Sequence, residues 1–112
     1  MSFQEQLLHI IENMVWLSET YFTGTNFIKS EKITPKTKTE IINELEIAFN
    51  RVSAIVKTIS LDDLTTEVNF FTGPKSKLQI LNLLQDHVTH HRGQLIVYLN
   101  LNNIKPPKYS GW

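Results

Sequence analysis

Apolar residues recur every three or four positions along three separate stretches of this chain, which is the spacing of an amphipathic helix. The stretches cover residues 2–22, 37–59 and 75–102. Ser2 followed by Glu5 predicts a capping box at the start of the first stretch. Three helices that each carry a broad apolar face must bury those faces against one another. The sequence therefore predicts an all-α fold, a bundle of three main helices.

The segments between these stretches predict loops. Residues 23–36 mix Thr, Gly, Asn, Lys and Pro35, and residues 60–74 break the helical periodicity. Within the second segment, Ser60 and Asp63 have the spacing that opens one helical turn. Thr72-Gly73-Pro74 predicts the turn that starts the third helix. The tail, 104–112, contains paired prolines, which cannot continue a helix and predict an extended run across the bundle.

The length of 112 residues predicts one domain, 1–112, with a core small enough to favour a partner subunit. The first stretch has more apolar surface than one neighbouring helix can cover. This surface predicts contact with a fourth helix of this chain or with a second copy, and hence a homodimer that uses an outward apolar stripe. The arc is formed by Phe3, Leu7, Leu8, Ile10 and Ile11.

Composition excludes several classes of function. The 11 basic and 11 acidic side chains balance, so there is no electrostatic footprint for nucleic acid. The chain has no cysteine, so a metal must be held by histidine and carboxylate. The acidic residues Glu5, Glu12 and Glu19 are incompatible with a secretory signal, and no segment has the apolar length of a membrane span. We therefore expect a cytoplasmic protein with no nucleic-acid or membrane partner.

Histidines supply the strongest chemical pattern. His87 and His91 lie four residues apart in the third stretch, on one helix face and within reach of a single metal ion. His9 lies in the only other histidine-bearing stretch. Three neutral imidazoles would leave a divalent ion with open positions for water or substrate. The spacing alone does not decide between such ligands and a hydrogen-bonded core pair with an exposed His9.

Polar residues beside the pair have two interpretations each. Asp86 and Gln94 have positions from which they could orient a metal-bound imidazole, or they are solvated helix surface. Arg92 could form an ion pair with Asp86 or Glu12, or bind an anionic group of a substrate.

Three further residues near the histidines are informative. His90 points about 100° away from His91 around the helix and is a candidate for a second-layer contact, a substrate contact or plain surface. Trp16 belongs either to the core or to the wall of a pocket, and we favour the structural role. Gly93 inside a helix costs roughly 1 kcal/mol relative to alanine, which predicts close approach of another helix there.

The pattern His87-x-x-x-His91-Arg92-Gly93-Gln94, followed by an aliphatic stretch and a Pro-Pro tail, resembles the DinB-like family. The N-terminal Leu7-Leu8-His9-Ile10, with Trp16 seven residues after the histidine, is similar to the second helix of that family. The resemblance implies a four-helix up-down-down-up bundle and a metal held by His9, His87 and His91. The family has a further helix before this segment, so the chain looks short at its N-terminus.

A histidine-only site suits hydrolysis or activation of a thiol, because a bound metal lowers the pKa of its water and acts as a Lewis acid. The resemblance implies the same, since relatives include transferases and isomerases that use low-molecular-weight thiols. We therefore predict a metal-dependent hydrolase or thiol-dependent transferase of unknown substrate. Zinc or nickel is the expected metal, with iron or manganese as alternatives. The competing interpretation is a non-catalytic, stress-associated dimeric helix bundle.

Overall fold

The computed structural model describes residues 1–27 and 37–111, which form three long helices and one small hairpin. Helix α1 spans Phe3–Ser18, α2 spans Lys38–Val56 and α3 spans Lys77–Leu101. A π-helical turn, Glu19–Thr23, continues α1, and a 3-10 turn, Asp63–Thr65, follows α2. The antiparallel strands β1 and β2, Glu67–Phe70 and Gly73–Ser76, precede α3.

Each long helix begins at a capping box. The hydroxyl of the N-cap residue accepts a hydrogen bond from the backbone N–H three residues later, and the side chain of that later residue accepts a hydrogen bond from the backbone N–H of the N-cap residue. These reciprocal bonds satisfy backbone donors that have no partner within the helix. They fix the helix starts to single residues. The three pairs are Ser2 with Glu5, Thr37 with Glu40, and Ser76 with Gln79.

Helix α1 is the central helix, because it packs against both α2 and α3. Its buried apolar side chains meet those of the other two helices in one core, and half-buried aromatic residues pack around them. This packing confirms the predicted helical bundle. The buried cluster consists of Ile10, Met14 and Leu17 of α1, Val52 of α2, and Ile80 and Leu84 of α3.

The prediction that α1 carries an outward apolar stripe is wrong at Ile10, whose side chain is only 4% exposed. A helix that lies between two others buries two faces, and Ile10 is on one of them. Phe3, at the start of the same arc, is 39% exposed. Exposed apolar side chains are also found on α2 and, at Leu83, Val97 and Leu101, on α3.

The hairpin was not predicted, because β1 and β2 have only four residues each and fall in a segment without helical periodicity. Val68 and Phe70 alternate with polar neighbours and pack against the core. Gly73, at φ 111°, pairs with Phe70 across the turn. The turn therefore closes a hairpin, and α3 starts at Lys77 rather than near residue 75.

The other connections largely agree with the sequence. The Ser60 hydroxyl accepts from the Asp63 backbone N–H at 3.1 Å and opens the predicted turn, and Gly24 ends the first helical segment at φ 69°. Residues 104–111 are not helical, as the prolines predicted. Most of the predicted loop 23–36, and Trp112, lie outside the described residues. Within the described ranges, no helix has the length and apolarity needed to cross a membrane.

A partly buried ion pair joins the π-helical turn after α1 to α2. The Arg51 Nε donates to the carboxylate of Glu19, whose side chain is 9% exposed, and the Thr23 hydroxyl donates to the same carboxylate. The hydrogen bond from Arg51 lowers the pKa of Glu19 below its usual 4.5, against the opposing effect of burial. Glu19 therefore stays ionised in the folded protein.

We expect Glu19→Gln to lower the free energy of unfolding at neutral pH by roughly 1 to 2 kcal/mol, a range that allows for the half-exposed arginine. Because the pKa of Glu19 is lower in the folded than in the unfolded state, its contribution is complete above the unfolded value. It is lost as pH falls through the folded value. Urea unfolding at a series of pH values measures this, with the exposed Glu46→Gln as control. Parallel pH profiles for wild type and Glu19→Gln would contradict it.

The expected close approach of a helix at Gly93 is wrong. Among the described residues, a Cβ added there would meet no atom of another element within 4 Å. Gly93 is thus a helix-interior glycine with space around it. No close helix contact offsets its cost in backbone entropy.

Gly93→Ala should therefore raise the free energy of unfolding by about 0.5 to 1 kcal/mol. Gly24→Ala is the matched control, since its φ of 69° strains any side chain and should make that variant less stable than wild type. Chemical denaturation of the three proteins decides the matter. Destabilisation by Gly93→Ala would restore the close-approach interpretation.

Candidate metal centre

Three histidines from two helices meet where α1 packs on α3. His9 lies in the middle of α1, and His87 and His91 lie one turn apart on α3. The ring centroid of His9 is 4.8 Å from that of each partner, and the two partners are 4.4 Å apart. Proximity of the N-terminal histidine to the C-terminal pair is thereby confirmed, across 78 residues of sequence.

The ring nitrogens have separations that suit one small cation. The Nε2 atoms of His9 and His87 lie 3.1 Å apart, and one ring nitrogen from each of the three residues lies within 4.8 Å of the others. Two imidazole nitrogens on one zinc ion, at 2.0 to 2.1 Å each, are separated by at most about 4.2 Å. The widest separation among the three nitrogens, at most 4.8 Å, is close to that limit. The three side chains can therefore hold a divalent ion.

Burial keeps the α3 histidines neutral. Desolvation is the main reason that the pKa of His87 falls to about 4, and repulsion from the imidazoles of His91, His9 and His90 lowers it further. The pKa of His91 is also lowered, first by its burial and then by the same kind of repulsion. Metal ligands must be deprotonated, so these two rings are in the required state at neutral pH.

Gln6 is part of the site and was missed by the sequence analysis. Its side chain is 4% exposed, and its Oε1 accepts a hydrogen bond from the Nδ1 of His91. A signal was present: residues 6, 10, 14 and 17 share the buried face of α1, and an amide on that face needs a partner. The identity of the partner was not readable from α1 alone.

The polar residues predicted near the pair differ in their contacts. The Gln94 amide is 2.9 Å from the Nε2 of His90, which is exposed. Gln94 also forms a side-chain hydrogen bond with His91, which partly opposes the lowering of the pKa of that imidazole. Asp86 is exposed, and within residues 1–27 and 37–111 no hydrogen bond joins it to an imidazole. Gln94 therefore contacts a candidate ligand, as Gln6 does, whereas Asp86 does not.

Arg92 and Trp16 each contact an aromatic residue of another segment. The guanidinium of Arg92 is 5.5 Å from the ring centroid of Tyr109, a cation–π contact that joins α3 to the tail. The half-buried Trp16 stacks on Phe70 of the hairpin with ring centroids 6.2 Å apart. Trp16 thus packs against the core, as favoured, and also lines the cleft described next.

A cleft of about 360 Å³ adjoins the cluster on the α1 side. His9 belongs both to the cluster and to the wall of this cleft, so a molecule in the cleft lies next to the histidines. Aromatic and polar side chains share the wall. The lining residues are His9, Glu12, Asn13, Trp16 and Phe27.

Comparison with protein families gives a match over nearly the whole chain. The model of the DinB family matches residues 1–110, which include both helices that carry the histidines. None of the curated proteins matches the chain.

Proposed function

The chain belongs to the DinB family, and from this membership and the histidine cluster we propose that it is a metal-dependent enzyme whose divalent ion is bound by His9, His87 and His91. One observation carries the proposal. Two helices that are distant in sequence bring three imidazoles together at their packing interface, with the Nε2 atoms of His9 and His87 facing each other at 3.1 Å. Neutral imidazoles so arranged have lone pairs that a cation can share.

The reaction that we propose is hydrolysis or transfer to a thiol. When bound, a divalent ion supplies a Lewis-acid position and lowers the pKa of a coordinated water or thiol. Three protein ligands leave room for such a group, in contrast to a closed four-ligand structural site. Imidazole ligands suit zinc, nickel, copper and iron, whereas carboxylate-rich sites suit manganese. Of these metals we propose zinc or nickel.

The cleft beside His9 supports a small-molecule substrate. Its volume of about 360 Å³ falls at the lower end of ligand pockets. Trp16 and Phe27 would contact an apolar portion of the substrate, while Glu12 and Asn13 would hydrogen-bond a polar portion. A low-molecular-weight thiol conjugate has both kinds of group and is our proposed substrate class.

We expect zinc or nickel to raise the melting temperature of the metal-free protein, because an ion that binds the folded state alone stabilises it. At a concentration of 100 times its dissociation constant the gain is about 2.7 kcal/mol. His91→Ala should abolish this gain. His90→Ala, at the exposed neighbouring position, should keep it. Calorimetry with and without metal measures the shift for each of the three proteins, and equal shifts in wild type and His91→Ala would exclude His91 as a ligand.

Activity separates this proposal from the non-catalytic alternative. Metal-loaded protein should hydrolyse thiol conjugates or transfer a group to a thiol. A chelator should abolish this turnover until zinc or nickel is restored. The non-catalytic bundle protein predicts metal binding without turnover of any conjugate tested.

We also propose that the chain forms a homodimer through α3. Leu83, Val97 and Leu101 are exposed on one face of that helix, at 38%, 56% and 76%. A row of exposed apolar side chains on one helix is typical of an interaction surface.

Light scattering at micromolar concentration should give twice the chain mass of 13.0 kDa, and the dimer should persist at high salt because apolar burial drives it. Leu101→Asp should dissociate it. Asn100→Asp adds the same charge off the row and should leave the mass unchanged. A wild-type monomer would overturn the proposal.

A further inference from the structure

Gln6 is a buried amide whose carbonyl oxygen is used by a single imidazole. It lies on the face of α1 that carries Ile10 and Met14, with 4% of its surface exposed. Its Oε1 bonds to the Nδ1 of His91, which is itself 7% exposed. An amide in such a position costs free energy unless it is hydrogen-bonded.

The chemistry of this bond determines which ring nitrogen carries the proton. An amide oxygen can only accept a hydrogen bond, so the Nδ1 of His91 must be the donor. In a neutral imidazole one nitrogen has the proton and the other has the lone pair. With the proton on Nδ1, the lone pair of His91 is on Nε2.

We propose that Gln6 is a positioning residue that holds His91 in the Nδ1–H tautomer and thereby presents its Nε2 to a metal. The inference rests on the proposed metal binding, and it assigns a task to a residue of α1 that is not a ligand. Hydrogen bonding of the second ring nitrogen fixes both the tautomer and the orientation of a metal-binding histidine. Here the bond also ties the ring on α3 to the helix that carries His9.

His87 offers an internal contrast. Its Nδ1 is buried and has no hydrogen-bond partner among the described residues, whereas the Nδ1 of His91 has Gln6. The tautomer of His91 is therefore held by a side chain of the other helix, and the tautomer of His87 is not held in this way. His91 is the better prepared ligand of the α3 pair.

Three variants test the role of Gln6. Gln6→Leu keeps the approximate size and removes the acceptor, whereas Gln6→Glu keeps an acceptor oxygen at the same place. Gln85→Leu makes the first change at an exposed position of α3 and serves as control. Circular dichroism of each protein establishes that it is folded.

The first measurement uses metal-free protein at mildly alkaline pH. Long-range proton–nitrogen correlation spectra report which nitrogen of His91 is protonated. We expect Nδ1–H in wild type, Gln6→Glu and Gln85→Leu, and a mixture with the Nε2–H tautomer in Gln6→Leu. An Nε2–H tautomer in the wild type would overturn the inference directly, even if Gln6→Leu failed to fold.

The second measurement is zinc affinity by competition with a chromophoric chelator. Loss of a hydrogen bond of this kind weakens metal binding by about 10- to 100-fold, and we expect this for Gln6→Leu. Gln6→Glu should recover most of the affinity. Unchanged tautomer and affinity in Gln6→Leu would refute the role of Gln6 while leaving the metal site intact. Absence of zinc and nickel binding in a wild type that retains the Nδ1–H tautomer would instead refute the proposed function.

Discussion

The packing of α1 between α2 and α3 is the interaction on which the rest of the structure depends. Ile10, Met14 and Leu17 fill the space between the other two helices, and a shift of α1 by one residue would turn this set toward solvent. The same packing sets the register of α1 along α3, and so places His9 beside His87 and His91. The hydrophobic core and the candidate metal centre are therefore consequences of one interface.

Burial in that interface favours neutral imidazoles at His87 and His91 and a hydrogen-bonded amide at Gln6. Desolvation favours the uncharged imidazole, which lowers the pKa of the α3 histidines and leaves lone pairs available for a cation. Desolvation also makes an unpaired amide costly, so Gln6 and His91 stabilise each other. Burial in the helix interface thus favours the neutral form of His87 and His91. Electrostatic repulsion among three imidazoles adds to this effect.

Periodicity and capping chemistry predicted much of the fold, because both act within a few residues. The capping box at Ser2 followed from the spacing of Ser2 and Glu5, and the start of the second helix near residue 37 followed from the three-to-four spacing of its apolar residues. The hairpin was missed because its stability comes from packing of Val68 and Phe70 on the core rather than from its short strands. The prediction for Gly93 was wrong because the free-energy cost of a glycine inside a helix was assumed to reflect close packing against another helix.

The sequence by itself determined that three amphipathic helices form a bundle and that His87 and His91 share a helix face, since both facts follow from 3.6 residues per turn. Resemblance added His9 to that pair. Only the tertiary structure decided that Ile10 faces inward, that the second nitrogen of His91 is bonded by Gln6, and that Asp86 is not its partner. These are contacts between α1 and α3, about 80 residues apart in the chain, and their geometry depends on how two helices are rotated against each other.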